Sequence, residues 1–307
     1  MDLNTLFGYE GKTVVVSGAY SGMGRAAAKL LSELGAEVYT ICRRNGRHSE
    51  LDFPVAGEFY ADFGVKEDID KLAEELPAHI DALFLCHGIA LNSDGSNTLD
   101  VQKVNFLGHK YLLEKVIDKV VDSGSVSIIG SAGGFDWETS FENCMEVIEA
   151  TTYEDALAWY EAHPAEIASG YVFSKQCLNT YVRAMCHEPM YIDRKIRLNL
   201  IAPGNTDTGL KEDFGAGTSP SGNVEEGLEI IESLFLDSWD GYWASPEQMG
   251  WPLAAIGSKM FNYMSPLSSP SPPVFNLSQH QGLFKCVGSS HQVAEVLELR
   301  LQHQSFQ

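Results

Sequence analysis

The chain has 307 residues, 44% of them hydrophobic and 21% charged, so it can bury a sizeable core as one large domain or two small ones. Asp and Glu number 42 against 21 Lys and Arg, and the resulting formal charge of −21 disfavours binding to nucleic acid or to an anionic membrane, since both require a basic surface. No apolar run approaches the roughly 18 residues of a membrane span, and the first residues lack the basic and apolar segments of a signal peptide. We therefore expect a cytoplasmic protein without nucleic-acid or membrane partners.

Short apolar runs alternate with amphipathic segments along most of the chain. The β-branched run at 12–17 is typical of a buried parallel strand, and the apolar spacing at 25–34 predicts a helix that ends at Gly35. Further strands are predicted at 36–42, 58–61, 80–86, 125–130 and 196–201, and further helices at 66–76, 101–121 and 171–186. This alternation predicts parallel βαβ units, and therefore an α/β protein with a doubly wound parallel sheet, the Rossmann fold.

Two segments interrupt the alternation. Residues 132–174 contain nine acidic residues and no Lys or Arg, and helices are predicted near 141–149 and 153–162. This helical insert is either a solvated acidic surface or an element that shapes a substrate cleft or a subunit contact. Residues 266–307 are rich in Ser, Pro and Gln, which indicates an atypical, low-complexity tail for which disorder is one interpretation. We expect one domain over 1–265 before this tail.

A glycine loop lies between the first predicted strand and helix, where a phosphate site requires it. Gly18 allows a tight turn, while Gly22 and Gly24 let the backbone and the helix approach a pyrophosphate. The helix N-terminus supplies oriented N–H groups and a partial positive charge. The loop therefore predicts a dinucleotide site. The loop residues expected to contact it are Gly18, Tyr20, Ser21, Gly22, Met23 and Gly24.

Tyr171 and Lys175 are four residues apart and therefore share one face of a predicted helix. A Tyr with its ordinary pKa of about 10 is a poor base at neutral pH, but a nearby ammonium group lowers that pKa. Ser131 follows the fifth predicted strand, and doubly wound sheets bind ligands at the carboxyl ends of their strands. These three residues are candidates for acid/base chemistry.

These motifs together resemble the classical short-chain dehydrogenases/reductases over residues 11–263. The loop Ser17-Gly18-x-x-x-Gly22-x-Gly24 is similar to the family's Thr-Gly-x-x-x-Gly-x-Gly. The family's four catalytic residues match Asn105, Ser131, Tyr171 and Lys175. The resemblance implies hydride transfer between a nicotinamide and a secondary alcohol or ketone, with Tyr171 as general acid/base and Ser131 stabilising the reacting oxygen. It also implies that Lys175 lowers the pKa of Tyr171 and holds the nicotinamide ribose, and that Asn105 supports a proton-relaying water.

The resemblance implies further contacts to the cofactor. The family's adenine-binding Asp matches Asp62, and Pro203-Gly204, followed by Thr206 and Thr208, matches the nicotinamide-side loop. The complete set of cofactor residues expected outside the glycine loop is Arg43, Arg44, Asp62, Phe63, His87, Gly88, Tyr171, Lys175, Pro203, Gly204 and Thr206.

The chain departs from the family pattern in three places. Leu85-Cys86-His87-Gly88 replaces Asn-Asn-Ala-Gly, so that His87 is either a cofactor contact or a structural histidine. The separation of Ser131 and Tyr171 is unusually long, as in the branch of bacterial 3α-hydroxysteroid dehydrogenase/carbonyl reductase, where the insert contributes to dimer contacts. The sequence from Pro266 replaces the family's final strand, which puts the oligomer contact made by that strand in doubt. We otherwise expect a homodimer.

Arginines at the end of the second predicted strand indicate the cofactor. An acid at this place binds the ribose 2′-OH of NAD, whereas arginine accommodates the 2′-phosphate of NADP. Arg43 and Arg44 stand here without an acid, so NADP(H) is favoured and NAD(H) is the alternative. No cysteine or histidine spacing indicates a metal site, and we expect no metal and free, mostly buried thiols.

Residues 205–243 are predicted to form a substrate loop or lid with several apolar side chains. An apolar lid suits a bulky alicyclic alcohol, and we expect a hydroxysteroid or bile acid, with the 3-position preferred by analogy with the resembling branch. The alternatives are a carbonyl reductase for small or aromatic ketones, or a catalytically silent NADP-binding protein.

Overall fold

The computed structural model describes residues 8–43, 50–91 and 95–202, together with the backbone of 206–207 and 222–223. The strands of this part are β1 (Thr13–Ser17), β2 (Glu37–Cys42), β3 (Gly57–Tyr60), β4 (Ile80–Leu85), β5 (Val120–Ile129), β6 (Arg197–Ile201), β7 (Thr206–Asp207) and β8 (Gly222–Asn223). Strands β1 to β6 form one parallel sheet in the order β3-β2-β1-β4-β5-β6, and β7 pairs with β8. This is the Rossmann order, which confirms the predicted doubly wound fold.

Helices connect these strands and cover both faces of the sheet. The α-helices are α1 (Gly22–Glu33), α2 (Lys66–Glu75), α3 (Thr98–Gln102), α4 (Gly108–Val116), α5 (Phe141–Glu149), α6 (Tyr153–Ala162), α7 (Tyr171–Met185) and α8 (Pro189–Asp193). The π-helical turn Lys103–Leu107 joins α3 to α4. Short 3-10 segments lie at Ile117–Lys119, Ala132–Gly134, Trp137–Ser140 and Glu166–Ser169.

The predicted helix at 101–121 is wrong at its C-terminal end, because β5 already begins at Val120. Val120 pairs with Ile80 before a shift in register, and the chain then turns through Ser123, whose φ is 63°. The apolar residues of this stretch are compatible with helical spacing. Only their pairing with β4 makes them part of the sheet.

The strand side chains alternate between the two faces of the sheet and form two apolar clusters in the described chain. On one face, residues such as Val14 and Phe84 pack against α1. On the other face, residues such as Val15 and Leu83 pack in a cluster that includes α2, α4 and α7. Both faces of the sheet are therefore buried, as parallel sheets require.

The predicted insert forms α5 and α6, which confirms both helices expected in this segment. All nine acidic side chains between 132 and 174 are exposed. The inner side of the insert is apolar, since Cys144, Val147 and Tyr160 are fully buried in the same cluster as α7. The outer side of the insert is therefore acidic and exposed, while its inner side contributes apolar residues to the core of the domain.

Substitution of Tyr160 tests whether the insert contributes to the stability of the domain. Tyr160 is fully buried, and its hydroxyl group has no hydrogen-bond partner among the described residues. Tyr160→Ala should lower the free energy of unfolding by about 3–5 kcal/mol. Tyr160→Phe should leave it unchanged or raise it, because it removes an unsatisfied buried group.

Urea denaturation measures both effects, and Glu161→Ala on the exposed side of the same helix is the control, with a change within about 0.5 kcal/mol. Equal stabilities for Tyr160→Ala and the control would show that the insert unfolds independently of the core.

Candidate active site

The glycine loop connects β1 to α1 and has the geometry of a phosphate site. Gly18 and Gly22 adopt positive φ angles of 67° and 52°, which side chains disfavour. Gly24 approaches Gly18 so closely that a Cβ atom would collide with the Gly18 carbonyl group. Ser21 precedes α1 in an extended conformation, and its side chain does not cap the helix. The N–H groups of the first turn are therefore available to an anion.

Ser17 links this loop to the segment that follows β4. Its Oγ atom accepts a hydrogen bond from the Cys86 N–H at 3.1 Å and lies 2.7 Å from His87 Nδ1. The His87 ring is stacked between Phe63 and His109, at centroid distances of 3.5 and 3.8 Å. Burial holds the pKa of His87 well below its ordinary value, so the ring is neutral at neutral pH. His87 thus supports the loop as part of an aromatic stack.

The ends of β2 and β3 hold the residues expected at the adenosine end of the cofactor. Arg43 follows β2 directly and is half-buried. Asp62 follows β3, and its Oδ1 atom accepts a hydrogen bond from Gly64 N–H at 2.8 Å. Tyr20 of the glycine loop donates a hydrogen bond to the carboxylate of Glu58 on β3. The loop is therefore attached to the edge strand of the sheet as well as to β4.

Tyr171 begins α7 directly after Gly170, whose φ is 56°. One turn later, Lys175 Nζ donates a hydrogen bond to the Ile129 carbonyl at 2.8 Å and lies 5.5 Å from the centroid of the Tyr171 ring. Burial lowers the pKa of Lys175 to about 7. Burial also raises the pKa of Tyr171, and a hydrogen bond with Ser131 opposes this effect. The net direction is thus upward because of burial, whereas the resemblance predicts a pKa that Lys175 lowers.

Asn105 lies in the π-helical turn between α3 and α4 and joins two parts of the site. Its Oδ1 atom accepts a hydrogen bond from the Ile89 N–H at 2.8 Å, and its Nδ2 atom donates to the Ile89 carbonyl at 2.9 Å. The same Nδ2 atom donates to Ser174 Oγ at 3.2 Å. Ser174 Oγ in turn donates to the Tyr171 carbonyl at 2.7 Å. The amide therefore connects the segment after β4 with the start of α7.

Gly88 keeps the space between these groups open. A Cβ atom on Gly88 would lie 3.4 Å from Asn105 Oδ1 and 3.8 Å from Lys175 Nζ. Ser131 follows β5, where its Oγ atom accepts a hydrogen bond from Gly133 N–H at 3.1 Å. The four predicted catalytic residues thus meet at the carboxyl ends of β4 and β5, the edge at which such sheets bind ligands.

Several predicted residues lie outside the part of the chain that the structure describes. These are Arg44, Pro203, Gly204 and Thr208, most of the lid at 205–243 and the tail at 266–307. Thr206 is described only as backbone, in β7. Met23 lies within α1 and packs against the apolar cluster beneath that helix.

Sequence reasoning missed three groups that hold the site together. Ser174 bridges Asn105 and the Tyr171 carbonyl, although a Ser next to the predicted catalytic Lys175 carries no distinctive signal. The contacts of Ile89 could not be predicted from the sequence, because they are made by backbone groups that every residue has. Glu58 was recognisable only as part of a short strand, and its contact with Tyr20 depends on the pairing of β2 with β3.

Within residues 8–43, 50–91 and 95–202, no cluster of three or more His, Cys, Asp or Glu side chains is placed to hold a metal ion. No helix in these ranges combines the length and apolar character needed to cross a membrane. The described cysteines carry free thiols, and all of them except Cys86 are buried.

Comparison with known proteins extends these observations. No family model matches the chain. The coniferyl-alcohol dehydrogenase of Pseudomonas sp. (strain HR199 / DSM 7063) is 30% identical over 203 residues, which are 66% of this chain and 76% of that protein. The structure of the 3-alpha-hydroxysteroid dehydrogenase from Pseudomonas sp. B-0831, complexed with NADH, is 21% identical with a TM-score of 0.57, covering 73% of this chain and 89% of that one.

A second solved structure shares the fold. It is a short-chain dehydrogenase/reductase from Burkholderia multivorans with bound NADP, 20% identical with a TM-score of 0.51, covering 73% of this chain and 90% of that one. The sheet order and the glycine loop define a nucleotide-binding Rossmann protein. The identity with the coniferyl-alcohol dehydrogenase shows that the chain belongs to the classical short-chain dehydrogenase/reductase family. It is therefore an NAD(P)-dependent oxidoreductase.

Substitution of Asn105 tests whether its amide holds the site together. Asn105→Ala would leave the buried N–H and carbonyl groups of Ile89 without their partner, and should lower the free energy of unfolding by about 2–3 kcal/mol. Asn97→Ala is the matched control. Asn97 is exposed and caps α3, so its loss should cost only about 1 kcal/mol.

Chemical denaturation of both variants measures this difference. If the Asn105→Ala protein is as stable as the Asn97→Ala control, the Asn105 amide does not hold the site together.

Proposed function

We propose that this oxidoreductase transfers a hydride between NADP(H) and a secondary alcohol or ketone, with Tyr171 as the general acid/base. The observation that carries the proposal is the convergence of Asn105, Ser131, Tyr171 and Lys175 at one edge of the sheet, next to the glycine loop. Each of these side chains is held by backbone or side-chain hydrogen bonds, as an active site requires.

A dinucleotide fits the residues that line this edge. The glycine loop packs tightly on itself, since a side chain at Gly24 would collide with Gly18, and this packing brings the start of α1 close to the end of β1. The uncapped N-terminus of α1 offers N–H groups to the phosphates. Phe63 and Asp62 follow β3 on the adenosine side, and the open space at Gly88 lies next to Lys175. We assign these residues to the cofactor.

The nicotinamide, when bound, gives a hydride to the substrate carbon or accepts one from it. In the direction of reduction, Tyr171 Oη donates a proton to the substrate oxygen, and its raised pKa keeps that proton in place at neutral pH. Ser131 Oγ donates a hydrogen bond to the same oxygen and stabilises its developing negative charge. Lys175 has a pKa of about 7 and can exchange protons with the site at neutral pH. Asn105 positions α7 relative to the Ile89 backbone, beside which a relaying water would be held.

Support for NADP(H) comes from Arg43, which directly follows β2 at the place where an acidic residue would bind the ribose 2′-OH of NAD. A guanidinium group binds a phosphate with two parallel hydrogen bonds. The Glu58 carboxylate on β3 accepts a hydrogen bond from Tyr20 of the loop. We assign the ribose 2′-phosphate to Arg43, together with Arg44.

The proposed substrate is a bulky alicyclic alcohol, a hydroxysteroid or bile acid that reacts at its 3-position. The apolar side chains within 205–243 and the long insert before Tyr171 support this choice. A specific observation favours a second candidate, an aromatic alcohol or ketone. The coniferyl-alcohol dehydrogenase to which the chain is 30% identical over 203 residues is named for a primary allylic alcohol that is conjugated through a C=C bond to an aromatic ring.

The organisation of the whole protein follows from the same reasoning. We propose that the catalytic domain spans 1–265 and that 266–307 is a separate low-complexity tail. The chain would act in the cytoplasm as a homodimer, with the outer side of α5 and α6 available for the subunit contact.

A screen of alcohols tests the function. The full-length protein with NADP should oxidise 3-hydroxysteroids, while coniferyl alcohol tests the second candidate, and formation of NADPH is followed by its absorbance. Tyr171→Phe should lower kcat by about 10²–10⁴-fold but leave cofactor affinity unchanged, because it removes only the reacting hydroxyl group.

Fluorescence titration with NADPH checks the affinity of both proteins. Binding of NADPH without turnover of any alcohol or ketone would favour the catalytically silent alternative, and full turnover by Tyr171→Phe would refute the role of Tyr171.

Charge reversal at Arg43 tests the cofactor assignment. Arg43→Asp should weaken NADPH binding by about 10–100-fold, since a charge-assisted hydrogen bond contributes about 1.5–3 kcal/mol, and should favour NADH. Lys71→Asp makes the same change in net charge on the exposed side of α2 and is the matched control. Parallel NADPH and NADH titrations measure the ratio of the two affinities. An unchanged ratio in Arg43→Asp would refute the assignment of the 2′-phosphate to Arg43.

A further inference from the structure

Two thiols meet in the interior, between the insert and the helix that carries Tyr171. Cys144 lies on α5 and Cys177 on α7, and both are fully buried. Their Sγ atoms are 3.6 Å apart, and the geometry is that of a hydrogen bond from Cys177 to Cys144. The proposed hydride transfer uses neither sulfur.

We propose that Cys144 and Cys177 form a reversible intramolecular disulfide, a covalent modification site that ties the insert to the catalytic helix. An S–S bond is about 2.05 Å long, so the two sulfurs need to approach each other by about 1.5 Å. The sulfurs already face each other across two packed helices. A movement of this size is therefore a local adjustment of α5 against α7.

The two sulfurs differ in their chemistry. The hydrogen bond from Cys177 lowers the pKa of Cys144 because it stabilises the thiolate, and this effect outweighs the opposing effect of burial. Burial raises the pKa of Cys177 well above its ordinary value, so this residue keeps its proton. Cys144 is therefore the thiolate that attacks an oxidant first, and Cys177 is the resolving thiol.

Hydrogen peroxide is the oxidant of the proposed step, since it is small enough to reach a buried sulfur during local opening of the helices. The Cys144 thiolate attacks one peroxide oxygen, the O–O bond breaks, and the departing hydroxide takes up a proton to become water. The product is a sulfenic acid on Cys144. The Cys177 sulfur then loses its proton and attacks the Cys144 sulfur, forming the S–S bond and releasing the second water. The two sulfurs together lose two electrons, which the two peroxide oxygens gain.

The position of Cys177 on α7 connects the disulfide to the active site. Lys175 lies two residues before Cys177 and Tyr171 six residues before it, on the same helix. Lys175 Nζ depends on its contact with the Ile129 carbonyl. A shift of α7 towards α5 disturbs both groups, and a displacement of about 1 Å at reacting atoms can lower the rate by about 100-fold. The disulfide should therefore reduce turnover.

The experiment exposes full-length reduced protein to excess hydrogen peroxide, blocks free thiols by alkylation and identifies linked peptides by mass spectrometry. We expect a Cys144–Cys177 linked peptide that dithiothreitol removes. Turnover in the alcohol assay should fall by about tenfold or more and recover on reduction.

Three variants provide the comparison. Cys144→Ala and Cys177→Ala should keep their basal turnover and lose the reversible sensitivity to peroxide, and either one suffices if the other folds poorly. Cys186→Ala is the matched control, because Cys186 is also buried but directs its thiol to the Arg183 carbonyl at 3.5 Å. This control should remain as sensitive as the parent.

The absence of the linked peptide, or its replacement by sulfinic and sulfonic acids on the two residues, would overturn the proposal. A linked peptide without a change in turnover would support the disulfide but refute its effect on catalysis. The activity readout rests on the proposed function, whereas the mass readout needs no substrate. Failure of the unoxidised parent to turn over alcohols is thus a failure of the proposed function alone.

Discussion

The side-chain amide of Asn105 is the interaction on which the arrangement of the site depends. Its oxygen and nitrogen atoms hold the backbone of Ile89 after β4, and the same nitrogen also reaches Ser174 at the start of α7. These groups are buried, so the bonds cannot exchange with water without leaving a polar atom unsatisfied. One amide therefore links the segment after β4 to α7, and Asn105 Oδ1 lies beside Gly88.

Helix α7 serves two purposes along its length. Its first turns present Tyr171 and Lys175 to the site, while its middle is buried against the insert. The insert adds both to the acidity of the chain and to its core. Its carboxylates are exposed to solvent, whereas its apolar side chains are buried against α7. A catalytic group on a helix buried on most sides is held more rigidly than one on a loop.

The sequence predicted the fold well because the strands of a parallel sheet are buried on both faces and read as apolar runs. It failed at 120–121, where the pairing of Val120 with Ile80 outweighs helical spacing. The glycine loop and the four catalytic candidates were recognisable from residue type and order. Their supports were not, because the Ile89 and Ile129 contacts involve backbone atoms. The raised pKa of Tyr171 also depends on burial, which no local pattern reveals.

The π-helical turn Lys103–Leu107 has a consequence for the comparison of relatives. Such a turn accommodates one residue more than a regular α-helix does. Removal of that residue would convert the turn into regular α-helix and leave α4 in its orientation, because the turn absorbs the extra residue locally. Gly108 would then keep its place against the Phe63 carbonyl, where no side chain fits. A relative that lacks the extra residue should therefore align with a one-residue gap inside Lys103–Leu107, and the positions on both sides of that gap remain structurally equivalent.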